Sequence, residues 1–246
     1  LVIARRTGGT AFDSSVTNVS VKEIIDTNNI PRINYDSNGA NGHWLLEPTS
    51  TNLLPYSEDF SEWTKLNGGT GSLPVVTSNT TISPSGEQNA DTISFDKGAA
   101  SGGGDYSLLR LDYGGADVDG TASIYLKADT NVDIEISSDD LSYQTVSVTN
   151  TWQRFSVSDA TSDRLSMGLR GTVPSNNTAT VYAWGGQLEA LSYATSYIPS
   201  LTGSTETRAT ETANGAGSAT LINSTEGVLY AEIAALVDDS GVREIA

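Results

Sequence analysis

Apolar and polar residues alternate with a period of two along much of the chain, which is the pattern of strands with one buried face. In TASIYLKA (121–128), alanine, isoleucine and leucine alternate with serine, tyrosine and lysine, and VDIEISS (132–138) repeats the pattern. The predicted strands between residues 45 and 199 are LLEP (45–48), ADTISFD (90–96), YSLLRL (106–111), TASIYLKA, VDIEISS, YQTVSV (143–148), TWQRFSV (151–157), RLSMGLRG (164–171) and TVYAWGGQLE (180–189).

No segment between these strands has a helical period of useful length. Parallel strands joined by crossover helices are therefore not expected, and the sequence predicts antiparallel sheets. Two such sheets facing each other form an all-β jelly-roll β-sandwich. Trp152, Phe155 and Trp184 are predicted to lie in its core, and Trp63 at one end.

Two irregularities in the alternation predict β-bulges. Gly185 and Gly186 follow Trp184 inside the last predicted strand, where glycine often marks a bulge or a close backbone approach. Trp152 and Phe155 are three residues apart, which breaks the alternation and predicts a second bulge around Trp152.

The two ends of the chain have too little alternating apolar surface for a core of their own. Residues 1–44 are predicted to form an N-terminal arm, in which VSVKEII (19–25) is either a strand or a short helix, and residues 45–200 form the jelly roll. Residues 201–222 have the composition of a linker, and residues 223–246 predict the first strand or strands of an incomplete second β domain. Because the first residue is not methionine, we expect the chain to be processed or to be part of a longer polypeptide.

Composition and charge exclude several classes of function. The chain has no cysteine, which excludes disulfides, thiolate catalysis and cysteine-based zinc sites. Its net charge of −17 disfavours nucleic acid and anionic membrane surfaces as partners. No apolar run approaches the ~20 residues that a membrane-spanning helix needs, so membrane insertion is not expected.

Two segments resemble a pattern found in tail and fibre proteins of tailed phages. WGGQLEALSYATSYIPS (184–200), followed by STETRAT (204–210), is similar to the end of a carbohydrate-binding-like jelly roll in those proteins. NIPRINYDSNGANGHWLLEPTSTNLLPYSEDFSEW (29–63) resembles its opening half. The resemblance implies a virion structural protein that is usually trimeric, in which residues 223–246 begin a concanavalin A-like, lectin-like domain.

Catalysis is not expected from the side chains present. His43 is the sole histidine, and its context NGHWLLEP contains no nucleophile elbow, so we expect a structural role beside Trp44. Carboxylates are numerous, but a glycosidase pair cannot be assigned from sequence. Solvated positions on wet strand faces and turns are predicted for Asp133, Glu135, Asp139 and Asp140.

A calcium site is one interpretation of DYGGADVDG (112–120). Asp112, Asp117 and Asp119 could supply oxygen ligands, and the resembled modules often carry a structural calcium ion. The spacing differs from that of an EF-hand, and ordinary Asp-Gly turns explain the segment more simply.

Glycan binding is expected from tyrosines near loops and on wet strand faces. Aromatic rings offer flat faces to the C–H groups of pyranoses, and amide groups orient the hydroxyls. The candidates are Tyr106, Tyr113, Tyr125, Tyr143 and Gln144.

These observations lead to one functional hypothesis and two alternatives. The leading hypothesis is a non-enzymatic segment of a tail fibre or other virion appendage, extracellular, that assembles with other virion proteins, forms a homo-oligomer and adheres to a host glycan. The alternatives are a non-catalytic accessory module of a polysaccharide-degrading enzyme and a capsid decoration protein.

Overall fold

The computed structural model describes residues 32–35, 42–99 and 102–212. Most of the predicted N-terminal arm, much of the predicted linker and all of residues 223–246 lie outside these ranges, as does the side chain of His43. Strand β1 (Arg32–Tyr35) pairs antiparallel with strand β2 (Gly42–Leu45). This hairpin belongs to a different compact unit from residues 46–211.

The main unit is an antiparallel β-sandwich, which confirms the predicted all-β jelly roll. Its strands are β3 (Ser50–Asn52), β4 (Thr64–Gly68), β5 (Ser72–Thr81), β6 (Ala90–Asp96), β7 (Tyr106–Asp112), β8 (Val118–Lys127), β9 (Val132–Ser137), β10 (Gln144–Val148), β11 (Gln153–Ser162), β12 (Arg164–Arg170), β13 (Thr178–Glu189) and β14 (Glu206–Arg208). Sheet I has the strand order β10-β9-β12-β7-β4, and sheet II has the order β11-β8-β13-β6-β5.

The core lies between the inner faces of the two sheets. Alternate residues of the strands with an apolar face are buried there, as the period of two predicts. Sheet I contributes Leu109, Ile136 and Met167, and sheet II contributes Ile124 and Val181. Eight of the nine strands predicted from alternation correspond to β6 to β13. The ninth, LLEP, does not form the predicted strand, and the nearest strand of the main unit begins later, at Ser50.

The four large aromatic residues predicted to be internal have different positions. Trp63 is 2 % exposed in the core, packs on Phe60 and donates from Nε1 to the carbonyl oxygen of Tyr56 at 2.9 Å. Phe155 packs against the core. Trp152 is half-buried outside it and donates to the carbonyl oxygen of Ile82, so its predicted core position is wrong.

Trp184 is buried on the other side of sheet II, away from the central core. Its ring contacts Tyr125 and Tyr197, with centroid separations of 5.4 and 4.4 Å. Trp184 pairs with Tyr125 in register, and Tyr125 alternates with the inward residues of β8. The predicted burial of Trp184 is confirmed, but its predicted location in the core is wrong. Trp184 lies on the face of β13 opposite to Val181 and Ala183, which are in the core.

The predicted bulge after Trp184 is confirmed. The register of β13 on β8 shifts between Trp184 and Gln187, and Gly185 has a φ of +67°, which favours glycine. The bulge predicted around Trp152 is wrong, because Gln153 already pairs regularly with Leu126. The irregularity of β11 lies further along, between Asp159 and Ser162.

A short strand lies within the predicted linker. β14 pairs antiparallel with β3 and is the last strand in the described ranges. Arg208 at its end forms an ion pair of 3.0 Å with Glu47, whose side chain is 3 % exposed. The small polar residues of this segment show no apolar alternation, so a strand held by backbone pairing and polar side-chain contacts could not be predicted from the sequence.

Candidate ligand-binding face

The candidate site lies on the outer face of sheet I, the face that points away from the core. On β7 and β12 the outward residues are those that alternate with the buried leucines and methionine. The antiparallel register aligns Arg164 with Asp112 at one end of this face, Gly168 with Leu108 in the middle, and Arg170 with Tyr106 at the other end. We call these the Asp140 end, the centre and the Arg170 end.

The Asp140 end is filled by a network of ion pairs. Oδ2 of Asp140 lies 2.6 Å from Nη1 of Arg110 and 2.9 Å from Nη1 of Arg164. Arg164 also pairs with Asp163, and both arginines approach Asp112. Because each guanidinium group has carboxylate partners within the chain, this end has little remaining capacity for a ligand.

Asp140 is held as an anion by this network. Burial raises its pKa, but hydrogen bonds from Ser166, Tyr143 and Arg110 outweigh burial and lower the pKa to about 2. Oδ1 of Asp140 accepts from the hydroxyl of Tyr143 at 2.6 Å and from Ser166 at 2.5 Å. Burial and the bond to Asp140 together raise the pKa of the Tyr143 hydroxyl, so Tyr143 is a neutral donor.

The Arg170 end contains two half-exposed tyrosines around one arginine. The guanidinium carbon of Arg170 lies 4.2 Å from the ring centroid of Tyr143, a stacking contact. Tyr106 pairs in register with Gly68 on edge strand β4. A Cβ at Gly68 would lie 2.2 Å from Cε1 of Tyr106, so the tyrosine ring lies directly against the glycine. The absence of a side chain at Gly68 therefore lets the ring lean over the strand.

The centre of the face contains a buried carboxyl group, Glu135 on β9. Glu135 pairs with Gly168 on one side and Thr145 on the other, and it is 7 % exposed. Its Oε2 is buried and has no hydrogen-bond partner in the described part of the chain. Burial raises its pKa to about 7, although the charges of Arg170 and Lys97 act in the opposite direction. The predicted solvated position for Glu135 is therefore wrong.

The five predicted glycan-binding residues do not share one surface. Tyr106 lies at the Arg170 end, while Tyr143 spans the two ends: its ring contacts Arg170 and its hydroxyl donates to Asp140. Tyr113 follows β7 and packs against the core, and Tyr125 lies on the outer face of sheet II with Arg154 at 5.3 Å from its ring centroid. Gln144 is exposed but alternates with Tyr143 along the strand, so it belongs to the other side of sheet I.

The three predicted calcium ligands are not gathered into an obvious metal site. Oδ1 of Asp112 lies 3.2 Å from Nε of Arg110 and 3.3 Å from Nη1 of Arg164, while Asp117 and Asp119 are exposed. In the described ranges, no group of three His, Cys, Asp or Glu side chains could hold a metal ion. As arranged, Asp112 is occupied by guanidinium groups and does not fit a calcium ligand. The calcium site stays a prediction.

Sequence reasoning missed Arg170 and misjudged Glu135. Both positions follow from the alternation that was recognised, since Glu135 and Arg170 lie between buried residues of β9 and β12. The outward positions that become neighbours on different strands can be predicted only when the strand order is known. The order β9-β12-β7 brings together residues that are far apart in the chain, such as Tyr106 and Arg170.

Comparisons with known proteins found similar structures but no sequence family. No family model matches the chain, and no curated protein matches it. A solved carbohydrate-binding module of family 29 is similar at 12 % identity and a TM-score of 0.38, covering 58 % of this chain and 90 % of that chain. A mutant of the same type of module has 14 % identity and a TM-score of 0.36, covering 58 % and 91 %.

A third similar structure is the enzymatically active domain of tailspike protein 4 of bacteriophage CBA120. It has 11 % identity and a TM-score of 0.33, covering 53 % of this chain and 20 % of that chain. At these TM-scores the three structures do not define a family or a function for this chain. As for membranes, no helix within the described ranges has the length and apolarity of a membrane span.

Proposed function

We propose that the β-sandwich is a non-enzymatic glycan-binding module of a virion appendage, such as a tail fibre. The observation that carries the glycan part is the pair of half-exposed rings, Tyr106 and Tyr143, placed on either side of Arg170 on one sheet face. The virion context is supported by the resemblance of residues 29–63 and 184–210 to phage tail and fibre proteins.

The Arg170 end has the chemistry that sugar recognition requires. Tyrosine faces pack against the C–H groups of a pyranose, while guanidinium and carboxyl groups bind its hydroxyls. Both tyrosines are positioned by the sheet or by a hydrogen bond, so a ligand would not have to order a loop. Asp140 is already occupied by Arg110, Arg164 and the hydroxyl of Tyr143, which leaves the ring of Tyr143 and the Arg170 end for a ligand.

The proposed protein is extracellular on the virion and assembles with other virion proteins, as a homo-oligomer with a trimer favoured. Its net charge of −17 disfavours nucleic acid as a partner. Binding at the Arg170 end uses aromatic and polar side chains, so we expect a chelator to leave glycan binding unchanged.

A glycan array with the full chain tests the proposal. Wild-type protein is expected to bind at least one host-surface glycan, and Tyr106→Ala is expected to lose that binding. Tyr182→Ala is the matched control, because Tyr182 is half-buried on the outer face of sheet II. Equal loss in both variants, or no binding by the wild-type protein, would contradict the proposal.

The accessory-module alternative differs in what the complete protein does to a polysaccharide. A reducing-sugar assay on the full-length polypeptide separates the two. Release of reducing ends would favour an enzyme that carries this module, and binding without release would favour a structural adhesin.

A further inference from the structure

Oε2 of Glu135 is a buried acceptor with no hydrogen-bond partner among the described residues. Burying a carboxyl group without a hydrogen-bond partner destabilises the folded state, and such groups are rare unless they have a role. Glu135 is 7 % exposed and its Oε2 is unpaired. Its register partner Gly168 has no side chain that could donate a hydrogen bond to it.

Arg170 is the complementary donor. Among the described residues its side chain forms no ion pair or hydrogen bond, and its guanidinium group stacks on the ring of Tyr143. Arg110 and Arg164 on the same face are both paired with carboxylates. No ion pair joins Arg170 to Glu135, although Arg170 lies two residues beyond the register partner of Glu135 and its charge acts on that carboxyl group.

We propose that Glu135 and Arg170 together bind two neighbouring hydroxyl groups of an uncharged sugar. Glu135 accepts a hydrogen bond from one hydroxyl, and Arg170 donates to the oxygen of the next. Tyr106, in register with Arg170, contacts the ring of the same sugar. This inference rests on the proposed glycan-binding function and adds the class of sugar and the residues that select it.

The charges around the pair favour a neutral sugar over an acidic one. A hydroxyl group is both donor and acceptor, so two adjacent hydroxyls satisfy a carboxyl group and a guanidinium group at once. A sugar carboxylate would be attracted by Arg170, but it would be repelled by ionised Glu135 and by a chain of net charge −17. Asp133 is a further acidic group on the same side of β9 as Glu135.

Isothermal titration calorimetry with the full chain tests this inference. The probes are neutral oligosaccharides of glucose, mannose, galactose and xylose, and acidic oligosaccharides of galacturonic acid and N-acetylneuraminic acid. Glu135→Met removes both acceptor oxygens at similar length, and Arg170→Met removes the donor. Each is expected to weaken binding of the neutral sugar about tenfold or more, the effect of losing one hydrogen bond to a charged group.

Two further variants keep the result interpretable. Glu135→Gln retains one acceptor oxygen and is expected to lose less affinity than Glu135→Met. Glu206→Gln is the matched control, because Glu206 is an exposed carboxylate on β14, and it is expected to bind as the wild type does. Thermal unfolding of each variant, followed by circular dichroism, checks that it remains folded at the titration temperature.

The outcomes separate this inference from the proposed function. Neutral-sugar binding that survives Glu135→Met and Arg170→Met but is lost in Tyr106→Ala would overturn the inference and leave the proposed function standing. Preference for the acidic oligosaccharides would overturn it as well. Absence of binding to every probe and on the glycan array would overturn both.

Discussion

Replacing Glu135 with glutamine is expected to stabilise the protein at alkaline pH. The carboxyl group has a pKa of about 7 in the folded chain because it is buried, against a usual value of 4.5. Each unit of pKa difference corresponds to about 1.4 kcal/mol, so ionised Glu135 costs about 3 kcal/mol above pH 7. The buried glutamine amide in the variant, with incomplete hydrogen bonding, destabilises the folded state by about 1 kcal/mol and offsets part of the gain. We therefore expect the free energy of unfolding to rise by about 2 kcal/mol at pH 8.5.

The sign of the pH dependence follows from the raised pKa. Between pH 4.5 and pH 7 the folded state binds more protons at Glu135 than the unfolded state does. The stabilising effect of this extra proton is therefore complete below pH 4.5 and is lost as the pH rises through 7. Most of the cost is absent at pH 5, so Glu135→Gln should bring no gain there.

Urea unfolding at pH 5 and pH 8.5 measures both quantities. The free energy difference between Glu135→Gln and wild type should be about 2 kcal/mol more favourable to the variant at pH 8.5 than at pH 5. Glu206→Gln, at an exposed position, should show no such change. The same difference at both pH values, or a variant less stable than wild type at pH 8.5, would contradict a buried and unpartnered carboxyl group at position 135.

Three further substitutions test the structure around the site. Asp140→Asn should lower the free energy of unfolding by about 2 kcal/mol at pH 7 and by little at pH 2. The lowered pKa of Asp140 contributes stability above pH 3.8, and this stability is lost as the pH falls through 2. Urea unfolding at both pH values measures the difference. Gly168→Ala should lower the urea midpoint by the equivalent of about 2 kcal/mol or more, since φ is +149° and the new Cβ would lie 2.2 Å from the carbonyl oxygen of Ser107. Trp63→Ala should cost about 3 to 5 kcal/mol, measured in the same way, because it empties a fully buried site. A midpoint unchanged from wild type in Gly168→Ala or Trp63→Ala, or in Asp140→Asn at pH 7, would contradict the contacts described for that residue.

The strands with one clearly apolar face were predictable from the chain alone. In β8, Ile124 and Leu126 are completely buried while Tyr125 between them is half-exposed on the other side. Edge strands β4 and β5 were missed, because an edge strand buries little and its residues need not alternate. Only Pro74 of the ten residues in β5 is fully buried.

The candidate site was predicted in part. Tyr106 and Tyr143 were identified as ring-bearing positions, and the structure places both beside Arg170. Tyr113 and Tyr125 have the same chemistry but lie in other places, one against the core and one on sheet II. Composition reveals which residue types can bind a sugar, whereas the strand order decides which of them meet.

The amino-acid sequence by itself determined the all-β class, the antiparallel pairing and the inward faces of most strands, because alternation is a local property that each strand carries. Tertiary structure alone decided that Oε2 of Glu135 is buried without a hydrogen-bond partner among the described residues, that Asp140 pairs with both Arg110 and Arg164, and that Arg170 stacks on Tyr143. These properties depend on which strands become neighbours and on what covers an outward face. Burial and charge pairing between distant segments arise only when the sheets assemble, and a linear pattern does not contain them.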